Sequence, residues 1–393
     1  MNDLYDAAIV GASVSGASLA SLLGKEGLRV ALIDREHFPR RKACGEGISD
    51  IALEALRRMG LEADLASTAG KPFYSYRIDL GTRSFAFSSR KGRPLRGVGM
   101  QRYLLDSALA THASRLPTVR SFFGSPVTQI ESRIGHGMVH LANGERLRAR
   151  QVILADGANS QSAARLGIPK TSTGRPLWGM SFILEGSFSQ SAGEVVVLLR
   201  DGFEVNCTPV SETRLNVAFL AEKGQVKRLQ DSRLQEQLLL EAAEKSHFKG
   251  IPMGEPLQVG PVGCTRRPYT YGDVMLLGDV TESLDPIAGM GMTHGILMAE
   301  LAGQALIAQL RDGVPREETF REYTRAAEKM TRPYRGITHL TASLFRSPLR
   351  RLLIPPLSFA HLPDFVRGAL KYHPLGEKVS PAFPLILLHL IGS

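Results

Sequence analysis

Three short blocks of glycine, serine and aspartate carry the residue types that could hold a nucleotide. Glycine lets a backbone approach a phosphate closely, and an aspartate can accept hydrogen bonds from sugar hydroxyls. In this order along the chain, the blocks predict one dinucleotide site assembled from three distant segments. They are Gly11-Ala12-Ser13-Val14-Ser15-Gly16, Ala155-Asp156-Gly157-Ala158-Asn159-Ser160, and Gly278-Asp279 with Asp285-Pro286-Ile287-Ala288-Gly289-Met290-Gly291-Met292.

Apolar runs on either side of the first block predict the elements that position it. Residues 5–10 and 29–34 read as strands, and the segment from residue 17 reads as a helix that ends near Gly24 or Gly27. A helix that starts directly after such a turn points its free N–H groups at a pyrophosphate. Gly11 permits the tight turn, Gly16 lets helix and strand pack closely, and Asp34 can bind the adenosine ribose.

Ser13 is a departure from the usual glycine pattern, because it stands where the middle glycine is expected. Serine is small and carries a donor, so we interpret it as tolerated and able to contact a phosphate. The alternative is an ordinary βαβ turn that binds no dinucleotide, and the two later blocks favour the dinucleotide.

The later blocks each follow another predicted strand. Residues 150–155 lead into Asp156-Gly157, and residues 273–277 lead into Gly278-Asp279. Pro286 fixes a turn after the third block, Gly289 and Gly291 allow close backbone approach, and a helix continues from Met292. The N-terminus of that helix would stabilise negative charge on a ligand. The alternative is a plain junction between a loop and a helix.

With these blocks in this order, residues 4 to about 310 resemble the superfamily of FAD-dependent aromatic hydroxylases, the group A flavoprotein monooxygenases. That superfamily also contains geranylgeranyl reductases and flavin-dependent halogenases. The resemblance implies an α/β fold in which a Rossmann-like FAD/NAD(P)-binding domain is interleaved with an antiparallel β-sheet substrate domain, followed by a C-terminal helical region. The expected boundaries are 1–70, 101–170 and 266–330 for the FAD domain, 71–100 and 171–265 for the substrate sheet, and 331–393 for a helical cap.

The resemblance also implies roles for individual residues. It places Asp156 and Gly157 near the pyrophosphate and the path of the nicotinamide, and Asp279 on the ribityl or ribose hydroxyls. Arg102 looks like the arginine that opens a helix and reaches the pyrophosphate, where a lone cation against the helix dipole suggests a ligand. His294 is a candidate proton donor beside the flavin, although local packing is the alternative. The remaining candidates for the FAD site are Arg35, Arg41 and Lys42, of which the last two can also be a solvated basic turn.

In the superfamily, NAD(P)H reduces the flavin, which activates oxygen as a C4a-hydroperoxide, while the protein supplies orientation and water exclusion. The implied activity is hydroxylation of an aromatic, polyketide-like or quinone-like hydrophobic small molecule. Two alternatives stay open. One is a reductase that saturates isoprenoid or lipid double bonds, and the other is a flavin-binding protein without turnover.

Two aromatic signatures of the superfamily are missing from the expected substrate sheet. Geranylgeranyl reductases usually carry Tyr-x-Trp-x-Phe-Pro, where we read Phe203, Val205, Cys207 and Thr208-Pro209 in this chain. The halogenase Trp-x-Trp-x-Ile-Pro motif is also absent, and Trp178 is the only tryptophan. Both absences favour hydroxylation. Core packing is the simpler interpretation of Phe203 and Trp178.

The composition excludes several classes of function. The formal net charge is +10, but the chain has no zinc-finger spacing or long Lys/Arg run, so we expect anionic cofactors rather than nucleic acid as partners. The scattered Cys44, Cys207 and Cys264 predict neither a metal site nor disulfides and favour a reducing cytoplasm. No signal peptide is expected before the first strand.

The C-terminal region interleaves apolar runs, prolines and basic residues from about residue 331. None of the runs approaches the roughly 20 apolar residues that a bilayer span needs. A basic amphipathic surface could contact an anionic membrane peripherally, and a helical cap or a dimer contact is the alternative. The oligomeric state stays open.

Overall fold

The computed structural model describes residues 4–62, 70–88, 97–133, 135–190 and 193–347. Its strands are β1 Leu4–Val10, β2 Val30–Ile33, β3 Gly47–Ser49, β4 Lys71–Phe73, β5 Ser75–Asp79, β6 Ser84–Ser88, β7 Gly97–Gly99, β8 Val119–Phe122, β9 Val127–Arg133, β10 His136–Leu141, β11 Arg146–Leu154, β12 Thr171–Ser172, β13 Leu177–Phe188, β14 Glu194–Arg200, β15 Phe203–Pro209, β16 Arg214–Glu222, β17 Phe248–Pro252, β18 Leu257–Val262, β19 Thr265–Arg266, β20 Thr270–Tyr271, β21 Val274–Leu276 and β22 Glu282–Ser283. Its α-helices are α1 Val14–Lys25, α2 Asp50–Arg58, α3 Arg102–Arg115, α4 Gln161–Arg165, α5 Val226–Leu229, α6 Ser232–Lys245, α7 Gly291–Leu310 and α8 Arg316–Arg346, and short 3₁₀ turns span Lys223–Gln225, Gly278–Val280 and Pro286–Ala288.

The first sheet is a parallel sheet in the order β21-β11-β1-β2-β8, extended by antiparallel β20 on β21 and by β10 and β9 beside β11. Its central strands are apolar on both faces because both faces are covered. In β1, Ala7 and Ile9 pack towards α1, α7 and α8, and Ala8 and Val10 pack on the opposite side. The carboxyl ends of the parallel strands meet at one edge, which is where nucleotides bind in such sheets.

The second sheet has the order β17-β13-β16-β15-β14-β5-β6, with β18 also paired to β13. Its pairs are antiparallel except for the parallel pair β5–β14. One face packs against α6 through a buried apolar cluster, and the other face turns towards the first sheet. The predicted fold class is therefore confirmed: a Rossmann-like domain interleaved with a substrate sheet that is antiparallel apart from one pair.

One long helix spans the predicted start of the C-terminal helical region. Helix α8 is continuous from Arg316 to Arg346, so the boundary drawn at residues 330 and 331 lies inside one helix. The helix is held to the first sheet by Tyr323, whose hydroxyl donates to the carbonyl of Leu276 at 2.8 Å. Residues 348–393, which contain most of the apolar and basic runs of the C-terminal region, lie outside the described residues. No helix in the described ranges is both long and apolar enough to cross a bilayer.

Candidate active site

One continuous cavity of about 1250 Å³ joins the carboxyl edge of the first sheet to the inner face of the second. Most of the residues singled out from the sequence line it, although they come from distant segments. They are Gly11, Ser13, Asp34, Arg35, Arg41, Lys42, Arg102, Asp156, Gly157, Asp279, Pro286, Gly289, Gly291 and Met292. Gly16, Gly278 and His294 lie behind the wall rather than on it.

Two glycines of the first block are required by close backbone contacts. Gly11 has a φ of +105°, and a Cβ there would lie 2.4 Å from the carbonyl oxygen of Ala155. A Cβ on Gly16 would lie 1.8 Å from the carbonyl oxygen of Gly11. These contacts bring the N-terminus of α1 to the edge of the cavity, and the first turn of α1 carries no acidic residue. An anion at this edge would therefore be stabilised by the helix.

Ser13 needs no glycine-like conformation, because its φ of −79° and ψ of −168° are extended. Its hydroxyl accepts a hydrogen bond from Nη2 of Arg102 at 2.8 Å and donates to Oδ2 of Asp106 at 3.0 Å. This contact explains how the chain accommodates serine at this position: the side chain belongs to a buried polar network.

Arg102 is not the unpaired cation that the sequence suggested. It is only 4% exposed, and its guanidinium lies 3.0 to 3.2 Å from the carboxylate of Asp106, one turn further along α3. Asp106 is completely buried. The sequence-based inference overlooked this partner at spacing i,i+4, which balances the charge of Arg102 while leaving the side chain at the cavity wall.

Lys42 and Asp279 line the cavity without a side-chain hydrogen bond or ion pair to the described residues, as does Arg41. Burial, and then the nearby Arg102, lower the pKa of the Lys42 ammonium. Asp279 is presented by the 3₁₀ turn that follows β21. A ligand that carries both an anionic group and hydroxyl groups would supply partners for both side chains.

Asp34 lies at the end of β2 and is mostly engaged in holding the local backbone. Its carboxylate accepts from the N–H of Ala12 at 2.8 Å and from the N–H of Glu36 at 3.0 Å, and Arg40 approaches it at 3.3 Å. A carboxylate offers about four acceptor positions, so Asp34 retains capacity for a ribose hydroxyl.

Asp156 carries an orphaned polar atom at the end of β11. Within the described part of the chain, its Oδ1 is buried without a hydrogen-bond partner, while its Oδ2 accepts weakly from the N–H of Ser162 at 3.4 Å. Burial raises the pKa of this carboxyl. Because buried polar atoms normally have partners, Asp156 has an acceptor or donor position available to a ligand.

The donor set fits FAD. The N-terminus of α1 with Lys42 and Arg102 suits a diphosphate, Asp34 and Asp279 offer acceptors for hydroxyl groups, and the N-terminus of α7 opens onto the cavity at Gly291. These groups would hold the cofactor mainly through hydrogen bonds and helix dipoles.

His294 is not placed to donate a proton to a ligand in the cavity, so that candidate is wrong. It is completely buried between α7 and α8, where its Nε2 forms a 2.9 Å hydrogen bond with Oγ1 of Thr331. Burial lowers the pKa of His294 to about 4, which keeps the ring neutral. The alternative of local packing was the better interpretation.

The register of β15 corrects the comparison made with the reductase signature. Phe203, Val205 and Cys207 point away from the cavity into the cluster against α6. Asn206 and Thr208 line the cavity. The terminal proline of the signature corresponds to Pro209, so its aromatic positions correspond to Glu204, Asn206 and Thr208. The aromatic residues remain absent, but the side chains that replace them are polar.

Two functional features were missed by the inspection of the sequence. Glu46 contributes a buried carboxyl to the cavity wall beside Cys44. The end of α8 covers the substrate side with Leu344 and Phe345, and Arg346 pairs with Asp285 at 2.6 and 2.8 Å. An acid between two glycines is a local signal that could have indicated Glu46. No local sequence pattern predicts that the end of α8 contacts the cavity.

The three cysteines and the possible metal sites can be described briefly. Cys44, Cys207 and Cys264 are all free thiols. In the part of the chain that the structure describes, no group of three or more His, Cys, Asp or Glu side chains could hold a metal ion.

Comparison with known proteins agrees with this geometry. A family model described as an FAD binding domain matches residues 4–332. Ubiquinone hydroxylase UbiL of Rhodospirillum rubrum is 26% identical, over 79% of this chain and 74% of its own length. Menaquinone reductase of Mycobacterium tuberculosis is 24% identical, over 78% of this chain and 77% of its own length. The chain spans between 66% and 77% of the length of the first curated relatives that it matches.

Among solved structures, the fold is similar to PqsL of P. aeruginosa in complex with 2-aminobenzoylacetate. The TM-score is 0.75 at 20% identity, and the match covers 88% of this chain and 97% of PqsL. At this level of identity the similarity establishes a shared fold.

Proposed function

The chain belongs to the FAD binding domain family and is an FAD-dependent oxidoreductase, and we propose that it is an NAD(P)H-dependent monooxygenase. The proposed substrate is a hydrophobic aromatic, polyketide-like or quinone-like small molecule. The name of the relative UbiL, a ubiquinone hydroxylase, supports a quinone-like substrate class.

The observation that carries this proposal is the continuity of the cavity. Its first end is lined by the groups around Gly11 that would suit a dinucleotide, and its second end lies under the second sheet. Apolar side chains with a few polar groups among them are typical of sites for hydrophobic small molecules. The apolar lining includes Val195, Val197, Ala218, Leu257, Val259 and Leu344, and the polar groups include Ser181, Asn206, Thr208 and Gln258.

The residues of this chain bind, orient and shield the reactants. Asn206 and Thr208 can orient a carbonyl or phenolic hydroxyl through hydrogen bonds, because both line the substrate end. Leu344 and Phe345 at the end of α8 exclude water from that end. Bound FAD would transfer electrons from NAD(P)H and react with dioxygen.

A second candidate is a reductase of isoprenoid or lipid double bonds. The name of the relative menaquinone reductase favours it. The polar Glu204, Asn206 and Thr208, which occupy the aromatic positions of the reductase signature, favour the monooxygenase.

The two functions differ in their need for oxygen. Purified, FAD-loaded protein should oxidise NADH or NADPH faster when a substrate is added, with matching oxygen uptake and a product heavier by one oxygen atom. A panel of short-chain prenylphenols, prenylquinones and polycyclic aromatic phenols tests this with mass spectrometry. Product formed under strict anaerobiosis and heavier by two hydrogen atoms would establish the reductase instead.

A further inference from the structure

Glu46 occupies an unusual position for a carboxylic acid. It is 7% exposed, has a φ of +58° and lies between Gly45 and Gly47 on the cavity wall. Its Oε1 accepts from the N–H of Arg102 at 3.3 Å, whereas its Oε2 is buried and has no hydrogen-bond partner among the described residues. A left-handed conformation is costly for a residue other than glycine, so the fold holds this carboxyl in place against a local preference.

Glu46 also lines a second, small cavity of about 10 Å³. This volume is close to the minimum that one water molecule occupies. Its wall includes polar side chains of Gln101, Tyr103 and Ser181, and also Arg41, which is exposed to solvent. Glu46 therefore lies on the wall of both cavities, which also share Arg41, Lys42, Ser181 and Leu257.

The proposed reaction requires a proton in the main cavity. Hydroxylation consumes NAD(P)H, dioxygen, substrate and one proton, and yields NAD(P)⁺, hydroxylated substrate and water. Reduction of a carbon–carbon double bond by NAD(P)H also consumes one proton. A proton from solvent must reach the main cavity once in each turnover in either case.

We propose that Glu46 relays this proton from the small cavity to the main cavity. The relay rests on the proposed function in one respect: the proposed function says which reaction consumes the proton. In each turnover the Glu46 carboxylate takes one proton that bulk solvent supplies through the water of the small cavity, so that this water is left neutral, and gives the proton to a base formed in the main cavity. Glu46 thus returns to the carboxylate.

The charges around Glu46 suit this role. Burial raises the pKa of Glu46 to about 7, although the backbone N–H and charge of Arg102 and the charge of Arg41 act against it. Lys42 and Tyr103 are the other titratable groups around the small cavity, and the facing strands β13 and β18 contribute only uncharged side chains there. A carboxyl that is half protonated near neutral pH can both accept and donate a proton.

The first test needs no substrate. The folded protein keeps the Glu46 proton up to about pH 7, whereas the unfolded chain loses it near 4.5, so stability falls as the pH rises between these values. Glu46→Gln should remove this loss, with a relative gain in the unfolding equilibrium on the order of 100-fold at pH 8 and none at pH 4. Glu204→Gln is the matched control, because burial also raises the pKa of Glu204 to about 7. It should gain stability in the same way.

The second test measures turnover with a short-chain prenylphenol, NADPH and air. Glu46→Gln should retain FAD and lose on the order of 100-fold in kcat at pH 7. Glu46→Ala leaves space at the small cavity, and added formate, a small weak acid, should restore its activity. Formate should have no effect on Glu204→Gln.

The outcomes separate the relay from the proposed function. If Glu46→Gln keeps the wild-type rate and pH profile, the relay is wrong while the monooxygenase stands. If the stability difference does not appear, Glu46 holds no proton near neutrality and the relay is overturned even before turnover is measured. A third outcome is that the stability difference appears and that formate rescues Glu46→Ala, but in a reaction that reduces the substrate without oxygen. The relay then stands and the monooxygenase fails.

Discussion

Replacing Ser13 by glycine would restore the usual nucleotide-binding pattern, yet we expect it to destabilise the protein. The hydroxyl of Ser13 bridges the guanidinium of Arg102 and the carboxylate of Asp106, both of which are buried. Hydrogen bonds to charged groups contribute about 1.5–3 kcal/mol each. Arg102 and Asp106 keep their direct contacts, which reduces the loss, and an added glycine costs up to about 1 kcal/mol. The free energy of unfolding of FAD-free protein should therefore fall by about 2–4 kcal/mol.

FAD affinity should change much less than stability. The hydrogen of the Ser13 hydroxyl is donated to Asp106, so it is not available to a phosphate. The N–H groups of α1 and the side chain of Arg102 remain. We expect the Kd for FAD to rise by less than about tenfold, which corresponds to about 1.4 kcal/mol.

Urea unfolding of FAD-free protein by circular dichroism, with FAD titration by fluorescence quenching, measures both quantities. Ser18→Ala on the same helix is the control, because the buried Ser18 hydroxyl bonds to none of the residues that the structure describes and its removal should not lower stability. Unchanged stability of Ser13→Gly together with a Kd raised by more than about 100-fold would refute this reasoning. The hydroxyl would then bind the phosphate directly.

Three further predictions concern packing, pH and access to the cavity. Gly16→Ala places a Cβ 1.8 Å from the carbonyl oxygen of Gly11, so purified protein should contain little FAD by absorbance; wild-type FAD content would contradict this. Burial lowers the pKa of His294 from its usual 6.5 to about 4. Between these two pH values the unfolded chain is protonated at His294 and the folded chain is not, so the stability of the wild-type protein falls as the pH drops from 6.5 to 4. Thermal melts of His294→Gln should show a weaker dependence there, and a wild-type-like dependence would be the contrary result. Arg346→Met removes the bidentate pair with Asp285. It should raise the KM for the substrate at least severalfold with FAD content unchanged, and an unchanged KM would argue against closure by α8.

The cofactor end of the cavity was largely predictable from sequence. Backbone geometry determines it: Gly11 and Gly16 are required by contacts with nearby carbonyl groups, and such requirements leave glycines at characteristic spacings. The strands that lead into Asp156 and Asp279 could also be recognised, since they are short apolar runs that end in polar residues. These local patterns are sufficient because the parallel strands bring their carboxyl ends to one edge.

Contacts between distant segments could not be predicted in the same way. Asp106 lies one turn after Arg102, but only the fold shows that Ser13 joins them. Glu46 was not singled out from the sequence, because its burial depends on the approach of α3 and β13. The role of α8 depends on where a long helix ends relative to the substrate sheet.

The substrate end of the cavity depends on the register of a single strand. Successive residues of a strand face opposite sides, so a comparison displaced by one residue exchanges every side chain on the substrate face. Counting from Phe203 selects residues of the cluster against α6, whereas counting back from Pro209 selects Asn206 and Thr208 on the cavity. A motif in β15 therefore indicates the chemistry of the substrate only when it is known which of its residues face the cavity. With that register, the substrate face presents hydrogen-bonding groups, which suit a phenol or quinone ring better than a wholly apolar chain.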